Sequence, residues 1–367
     1  MVVARRLSLR DVRSYERAEV NLGERLTVIH GPNGAGKTNL LEALYLSCTA
    51  RSCRTANDRE LVRFDAGAAR VELTVDASDG AHHIAIGVAP GEVKRVTVDG
   101  AVVERFGSVP CRPLVAVFLP DRLELIKGAP ALRRAHLDQL VTGLWPARGA
   151  ARRAYSRALG QRNALLARVR AGRGADALST WDRELARYAL DLRDDRRRAV
   201  DLICGPVRDA AQSLGLTGEL ELRYRPRSEA TTIEEFAQEL EERLASDLER
   251  GFTGHGPHRD ELLLLRDGRE LRVYGSQGEQ RLALLALILG EREALADQRG
   301  APPLLLLDDV MSELDADRRR MLVERVAHAG QVVITTTDLA HVPGAETPGT
   351  VVLEVLAGSV REEVLAG

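Results

Sequence analysis

One eight-residue segment limits the folds open to this chain more than any other. Gly31, four further residues, Gly36, Lys37 and Thr38 match the phosphate-binding loop G-x-x-x-x-G-K-[ST] in full. Leu26, Val28 and Ile29 precede it with strand-like alternation, and Leu40, Leu41, Leu44 and Tyr45 follow as an amphipathic run. Strand, glycine loop and helix therefore occur in the order the motif requires. Gly31, Pro32, Asn33, Gly34, Ala35 and Gly36 form a loop whose backbone N–H groups converge on phosphate oxygens, and the helix behind it adds its positive end. Lys37 is expected to reach the β- and γ-phosphates of ATP, and the Thr38 hydroxyl to bind Mg²⁺.

The other half of such a site is an acid at the C-terminal end of a buried strand. Leu304, Leu305, Leu306 and Leu307 read as a strand apolar on both faces, as a central parallel strand requires, and Asp308 and Asp309 follow directly. Asp308 is the expected Mg²⁺ acid.

Around this pair the chain changes character twice. From Val71 to Val103, short apolar alternations are separated by Asp79-Gly80, Pro90-Gly91 and Asp99-Gly100, which predicts antiparallel hairpins. From residue 121 to about 250 helix formers dominate. Tyr155, Leu159, Leu166 and Val169 share a seam interrupted by Arg162, and Leu178, Trp181, Leu185, Tyr188 and Leu192 repeat after the loop 171–176. An antiparallel helical hairpin is expected, with two ordinary core helices the plainer alternative. The fold class is thus α/β, with residues 1–120 and 251–367 forming the two halves of one head and 121–250 a helical insertion.

Composition excludes several classes. With 44% hydrophobic and 29% charged residues the chain is neither disordered nor fibrous. No apolar run approaches the roughly 18 residues of a membrane span, and the first residues lack a signal peptide's apolar core, so a soluble, cytoplasmic protein is expected. The four cysteines form no C-x-x-C pair, against a zinc site or disulfide framework. A net charge of −2 advertises no polyanion partner, so any basic surface is local. Residues 133–198 hold 16 Arg against 7 acids, and residues 229–250 hold 8 acids against 2 Arg. Either run is equally well a solvated helix face.

Gly275, Ser276, Gln277, Gly278, Glu279 and Gln280 resemble the signature of ATP-binding-cassette ATPases, with Gln277 in place of its first glycine. Ser312-Glu313-Leu314-Asp315 resembles their D-loop, and the switch position falls at Thr337. In that class the signature of one subunit closes on ATP held by the other. Ser276 to Gln280 are then contacts in trans, Ser312 and Asp315 interface residues, and the working species an ATP-dependent homodimer. The 245 residues from Gly31 to Ser276 exceed what a transporter head needs, and the switch histidine of transporters is absent.

Further segments resemble the RecF family of bacterial recombination-repair proteins over nearly the whole chain. They are 9–15 (Leu-Arg-Asp-Val-Arg-Ser-Tyr), the extension of the loop through 38–43, Arg51-Ser52-Cys53-Arg54-Thr55, 120–128 with Arg133-Arg134 and Leu137-Asp138, and 251–260 (Gly-Phe-Thr-Gly-His-Gly-Pro-His-Arg-Asp). Arg122 and His136 depart from the family pattern, where an acid and an aromatic are usual. The resemblance implies an ABC-type head that binds single-stranded, gapped or junction DNA. It also implies work with RecR, RecO and RecA in gap repair, replication restart and SOS induction, and a slow DNA-stimulated ATPase. By resemblance to the cassette class Asp309 is the general base, with Lys37 the second catalytic residue; Asp309 is shorter than the glutamate usual after the Mg²⁺ acid, which points to turnover of order a few per minute or less. An ATP-gated architectural DNA clamp without appreciable hydrolysis is the main alternative, a transporter-type subunit the lesser one. The Arg-rich run, then Arg51 and Arg54, are the expected DNA contacts, and with few aromatics the duplex backbone is the favoured target. His255 and His258 lack a third ligand and read as structural or interface residues.

Overall fold

The computed structural model describes residues 2–173, 175–327 and 329–363. Gly174, in the middle of the expected hairpin loop, lies outside the described residues. The chain divides into two compact units. The first comprises residues up to Arg122, Gln212–Leu216 and Leu295 onward; the second comprises Leu123–Ala211 and Thr217–Ala294.

In the first unit, the expected hairpins form a six-stranded antiparallel sheet in the order Tyr15–Asn21, Val3–Val12, Ala69–Ala77, Gly80–Val88, Arg95–Val98, Ala101–Val102. A second six-stranded sheet runs Ser359–Glu363, Val351–Leu356, Leu26–His30, Val332–Thr336, Leu304–Leu307, Val115–Phe118. All its pairings are parallel except that of the edge strand Ser359–Glu363. Apolar side chains of both sheets and of the helix Lys37–Thr49 share one core, including Leu7, Val71, Ile84, Leu41, Leu306 and Val333. That helix is buried around most of its circumference, Glu42 included, rather than along one stripe. Its N-terminus lies beside the C-terminal ends of the parallel strands because the strand Leu26–His30 leads straight into it.

In the second unit, helices Gly149–Arg170 and Leu178–Ser213 carry the two apolar seams. Leu165 and Leu166 cluster with Leu178 near the turn, and Tyr155 and Ala158 with Leu185, Ala189 and Leu192 farther along, the register of an antiparallel pair. Phe236 and Leu240 of the acidic helix Ile233–Glu242 complete the latter cluster, so the hairpin is one wall of a packed domain. Arg162, the interruption in the seam, is fully buried and ion-paired with Asp182 at 2.6 Å and Asp247 at 2.7 Å.

The second unit extends beyond the insertion expected from the sequence. A three-stranded antiparallel sheet joins Arg269–Glu270, Glu261–Arg266 and Leu220–Arg225, the last a strand inside the region expected to be helical. The helix Gln277–Arg299 packs so closely here that a Cβ on Gly290 would lie 2.5 Å from the Val207 backbone nitrogen. Backbone pairing and close helix packing therefore carry residues 251–294 into the second unit, where the expected return to the head was at residue 251.

Candidate functional site

The loop after Leu26–His30 owes its shape to its glycines. Gly31 has φ 145°, and a Cβ there would fall 2.2 Å from the Val355 carbonyl oxygen. Gly36 has φ 118°, and a Cβ there would meet the Tyr15 and Ser14 side-chain oxygens at 2.8 and 2.9 Å. The Tyr15 hydroxyl donates to the Gly36 carbonyl at 3.0 Å. No side chain caps the helix that begins at Lys37, so the first-turn N–H groups face the loop.

Lys37 is buried and its ammonium donates to the carbonyls of Gly31 at 2.8 Å and Pro32 at 3.0 Å. Burial holds it below the ordinary lysine value, against the opposing pull of Asp309 and Asp308. The next residue meets the acid strand. Thr38 Oγ1 donates to the Asp308 carboxylate, 2.9 and 3.0 Å from its two oxygens, across 270 positions of sequence. Thr335 Oγ1 donates to Asp308 Oδ1 at 2.7 Å and accepts the Asp309 N–H at 2.9 Å. Burial pushes the Asp308 carboxyl above the usual range, and the bonds from Thr335 and Thr38 oppose it. Asp309 itself is at φ 47°, the left-handed region, and its Oδ1 is buried with no hydrogen-bond partner among the described residues.

A hydroxyl and a carboxylate in contact are hard oxygen donors, a fit for Mg²⁺, which uses one or two protein oxygens beside phosphates and water. Among the described residues no cluster of three or more His, Cys, Asp or Glu offers an all-protein metal cage.

Several residues that shape this site carry no signal in the loop motif. Glu42, fully buried, is gripped by Arg13 through two bonds of 2.9 Å, by Ser52 Oγ, and by Arg54 at 3.5 Å. Arg54 also reaches Asn39 Oδ1 at 3.0 Å, and Asn39 donates to Ser14 Oγ at 3.0 Å. The segments 13–15, 39–42 and 52–55 thus form one polar brace on the flank of the phosphate-loop helix, and Arg54, an expected DNA contact, takes part in it. Thr335 belongs to no motif, and the switch position expected from the sequence, Thr337, is half-buried just beyond the strand end. A threonine run on a buried strand beside an acid strand was the available signal.

The D-loop residues lie in the same unit. Ser312 Oγ donates to the Asp309 carbonyl at 2.9 Å, while Asp315 accepts the Arg318 N–H at 2.9 Å and opens the helix Ala316–Ala327. The signature residues lie in the second unit. Ser276, Gln277 and Gly278 are exposed, and Ser276 and Glu279 cap one another's backbone N–H at 3.3 and 2.8 Å. Gln280, expected with them as a nucleotide contact in trans, lies one turn into the helix. It is buried, and its amide donates to the Leu271 carbonyl at 2.7 Å, holding the turn ahead of the helix.

The Arg-rich run divides. Arg133, Arg162, Arg193 and Arg196 are buried, with Arg133 bonded to Glu261 at 2.8 Å and Arg196 to Asp138 at 2.8 Å. Internal ion pairing thus takes up part of the charge excess that the sequence assigned to DNA. His255 and His258 are also internal. His255 Nε2 lies 2.6 Å from Glu239, and His258 lies between the Tyr155 hydroxyl at 2.6 Å and the Thr253 carbonyl at 2.9 Å.

Comparison with known proteins agrees with this geometry. A family model described as an AAA domain matches residues 6–103. The DNA replication and repair protein RecF of Anaeromyxobacter sp. (strain Fw109-5) is 38% identical over 364 residues, covering 96% of this chain and 97% of the relative. That of Acidothermus cellulolyticus is 39% identical, covering 90% and 92%. A solved structure of the recombination mediator protein RecF with ATP superposes with a TM-score of 0.88 at 28% identity, covering 99% of this chain and 98% of that one. An Smc head bound to the C-terminal winged-helix domain of ScpA shares the fold, with a TM-score of 0.60 at 15% identity over 98% of this chain and 97% of that one. No helix among the described residues is long and apolar enough to cross a membrane. With relatives this similar along nearly their whole length, the chain belongs to the RecF family of DNA replication and repair proteins, built on an ABC-type ATPase head.

Proposed function

We propose that this protein is an ATP-dependent DNA-binding protein of recombinational repair, acting in the cytoplasm as a homodimer closed on ATP. The observation that carries the nucleotide reading is the chain of contacts from Thr38 through Asp308 and Thr335 to Asp309, set beside a buried lysine in a phosphate loop. Gly31 to Thr38 bind the phosphates, with the first-turn N–H groups and Lys37 as donors. Lys37 exchanges its bonds to the loop carbonyls for bonds to phosphate. Thr38 and Asp308 hold Mg²⁺, which neutralises phosphate charge when bound.

Asp309 is the proposed general base. Its backbone is held in the left-handed region at φ 47°, and its unpartnered oxygen is free to accept a proton from water. The side chain is one methylene shorter than the glutamate of the class, so hydrolysis is slow, with DNA as the proposed stimulus. Exposed Ser276, Gln277 and Gly278 close on ATP held by the second protomer, Glu279 fixes their turn, and Ser312 and Asp315 shape the facing D-loop. Exposed arginines contact single-stranded, gapped or junction DNA, and partners of the RecR, RecO and RecA type act with it in gap repair, replication restart and SOS induction.

The test is affinity for a gapped duplex at fixed salt near 0.15 M, with and without ATP and Mg²⁺. Binding that tightens with ATP, together with dimerisation, supports the reading. Weak binding indifferent to ATP refutes an ATP-controlled DNA complex. A DNA clamp with negligible hydrolysis is the second reading, favoured by the short Asp309; ATP-tightened binding without turnover selects it.

A further inference from the structure

In the second unit the polar residues of the segment 251–260 face two ways. Thr253, His255, His258 and Asp260 turn inward. The Thr253 N–H bonds to Asn163 Oδ1 at 2.8 Å, the Gly254 N–H to Asp247 Oδ1 at 2.9 Å, and Asp260 Oδ1 accepts the Arg227 N–H at 2.7 Å. Phe252 and Arg259 turn outward from the same anchored backbone. Phe252 is 40% exposed, and the Arg259 guanidinium stands 5.3 Å from its ring centre. With Arg227, Arg250 and Gly254 they line an open cleft of about 450 Å³.

The arginines of this cleft differ from those around them. Arg162 and Arg196 are buried in ion pairs, whereas Arg227, Arg250 and Arg259 are exposed and carry no salt bridge among the described residues. Three carboxylates of this unit are engaged elsewhere: Asp247 by Arg162, Asp260 by Arg196 and Tyr224, Glu239 by His255 and Ser228. The cleft therefore gathers three guanidinium groups that carry no salt bridge among the described residues with one exposed aromatic ring, beside which Arg259 stands. Packing does not call for this arrangement, since an exposed phenylalanine forgoes its burial.

We infer that this cleft binds one nucleotide unit of single-stranded DNA, its base stacked on Phe252 and its flanking phosphates held by Arg227, Arg250 and Arg259. The chemistry is that of sequence-tolerant single-strand sites, where an aromatic face takes any base and arginines follow the backbone. The site lies outside the nucleotide-binding loop and adds a stacking contact to a chain whose arginines otherwise offer only backbone contacts. It rests on the DNA-binding reading above.

The experiment measures binding of the full chain to a single-stranded oligonucleotide, the same oligonucleotide with abasic sites, and a blunt duplex, for wild type and Phe252→Ala. The side chain is exposed, and unchanged thermal unfolding confirms that the variant folds. Single-strand affinity is expected to fall about 5- to 150-fold, with abasic and duplex binding nearly unchanged. Replacing all three arginines by alanine is expected to flatten the dependence of log affinity on log salt by about 1.4, from about 0.7 for each of the two phosphates flanking one nucleotide. Equal losses on single strand and duplex overturn base stacking, and unchanged single-strand affinity in Phe252→Ala overturns the site while leaving the DNA reading standing. Wild-type protein that binds no DNA overturns both. Competition by free dAMP as effective, per nucleotide, as the oligonucleotide would assign the cleft to free nucleotides instead.

Discussion

Replacing Thr335 by valine keeps a β-branched side chain on a buried strand and removes only a hydroxyl. That hydroxyl is fully buried, donates to Asp308 Oδ1 at 2.7 Å and accepts the Asp309 N–H at 2.9 Å. Two losses follow. The Asp309 N–H loses its acceptor, a change of about 1–3 kcal/mol for a buried group, at a residue already held in a left-handed conformation at φ 47°. Asp308 loses one of the two hydroxyl donors that oppose the effect of burial, so its carboxyl moves further above the usual range. Since the proposed metal ligand must be deprotonated, Mg²⁺ affinity falls about 10- to 100-fold, as for other partners that orient a ligand. The sign with pH follows. A carboxyl whose folded pKa exceeds its unfolded value favours the folded state below the unfolded pKa and loses that contribution as pH rises through the folded pKa. The stability gap between Thr335→Val and wild type is therefore widest at neutral pH and narrows in acid. Mg²⁺ titration of ATP hydrolysis, with urea unfolding at neutral and acid pH, measures these effects, and Thr335→Ser should restore most of both. A valine variant with wild-type Mg²⁺ dependence and stability would refute the role given to the hydroxyl.

Three other outcomes follow from the same geometry. Asp309→Asn should retain ATP binding, read by equilibrium dialysis, and slow single-turnover hydrolysis by at least tenfold; unchanged hydrolysis would move the base to another group, Glu313 first. Ser276→Arg places a long cation on the exposed turn and should abolish ATP-dependent dimerisation in sedimentation, while ATP binding by the monomer persists; a dimer that still forms with ATP would end the two-site sandwich. Arg162→Met leaves Asp182 and Asp247 buried without their cation and should destabilise the second unit by about 3–5 kcal/mol at pH 7. Burial already raises the Asp182 carboxyl, so in that variant the loss should shrink on acidification, and a loss below about 1 kcal/mol would show the network is dispensable.

Contiguous chemistry was legible in the sequence. The phosphate loop, its flanking strand and helix, and the apolar strand ending in Asp308 and Asp309 announce themselves because each requirement is met within a few residues. The hairpins between Val71 and Val103 were equally readable from alternation and Asp-Gly turns. Less readable was the extent of the second unit. Leu220–Arg225 alternates apolar and polar residues at the strand period, but six residues among helix formers do not say which strand they pair with, and it is pairing with Glu261–Arg266 that carries the second unit past residue 250.

What the sequence determined by itself is therefore the class: an α/β head with a phosphate loop, an acid strand and a helical insertion, recognisable as RecF-like from short ordered segments. Tertiary structure decided which charges meet. Glu42 draws on Arg13 and Arg54, Asp308 on Thr38 and Thr335, and Arg162 on Asp182 and Asp247, partners up to 270 positions apart. A chain with 52 basic and 54 acidic residues offers far too many possible pairs for composition or spacing to choose among them. Burial makes the choice, because a charge removed from water requires a partner within hydrogen-bond reach, and only the packed backbone determines which side chain stands there.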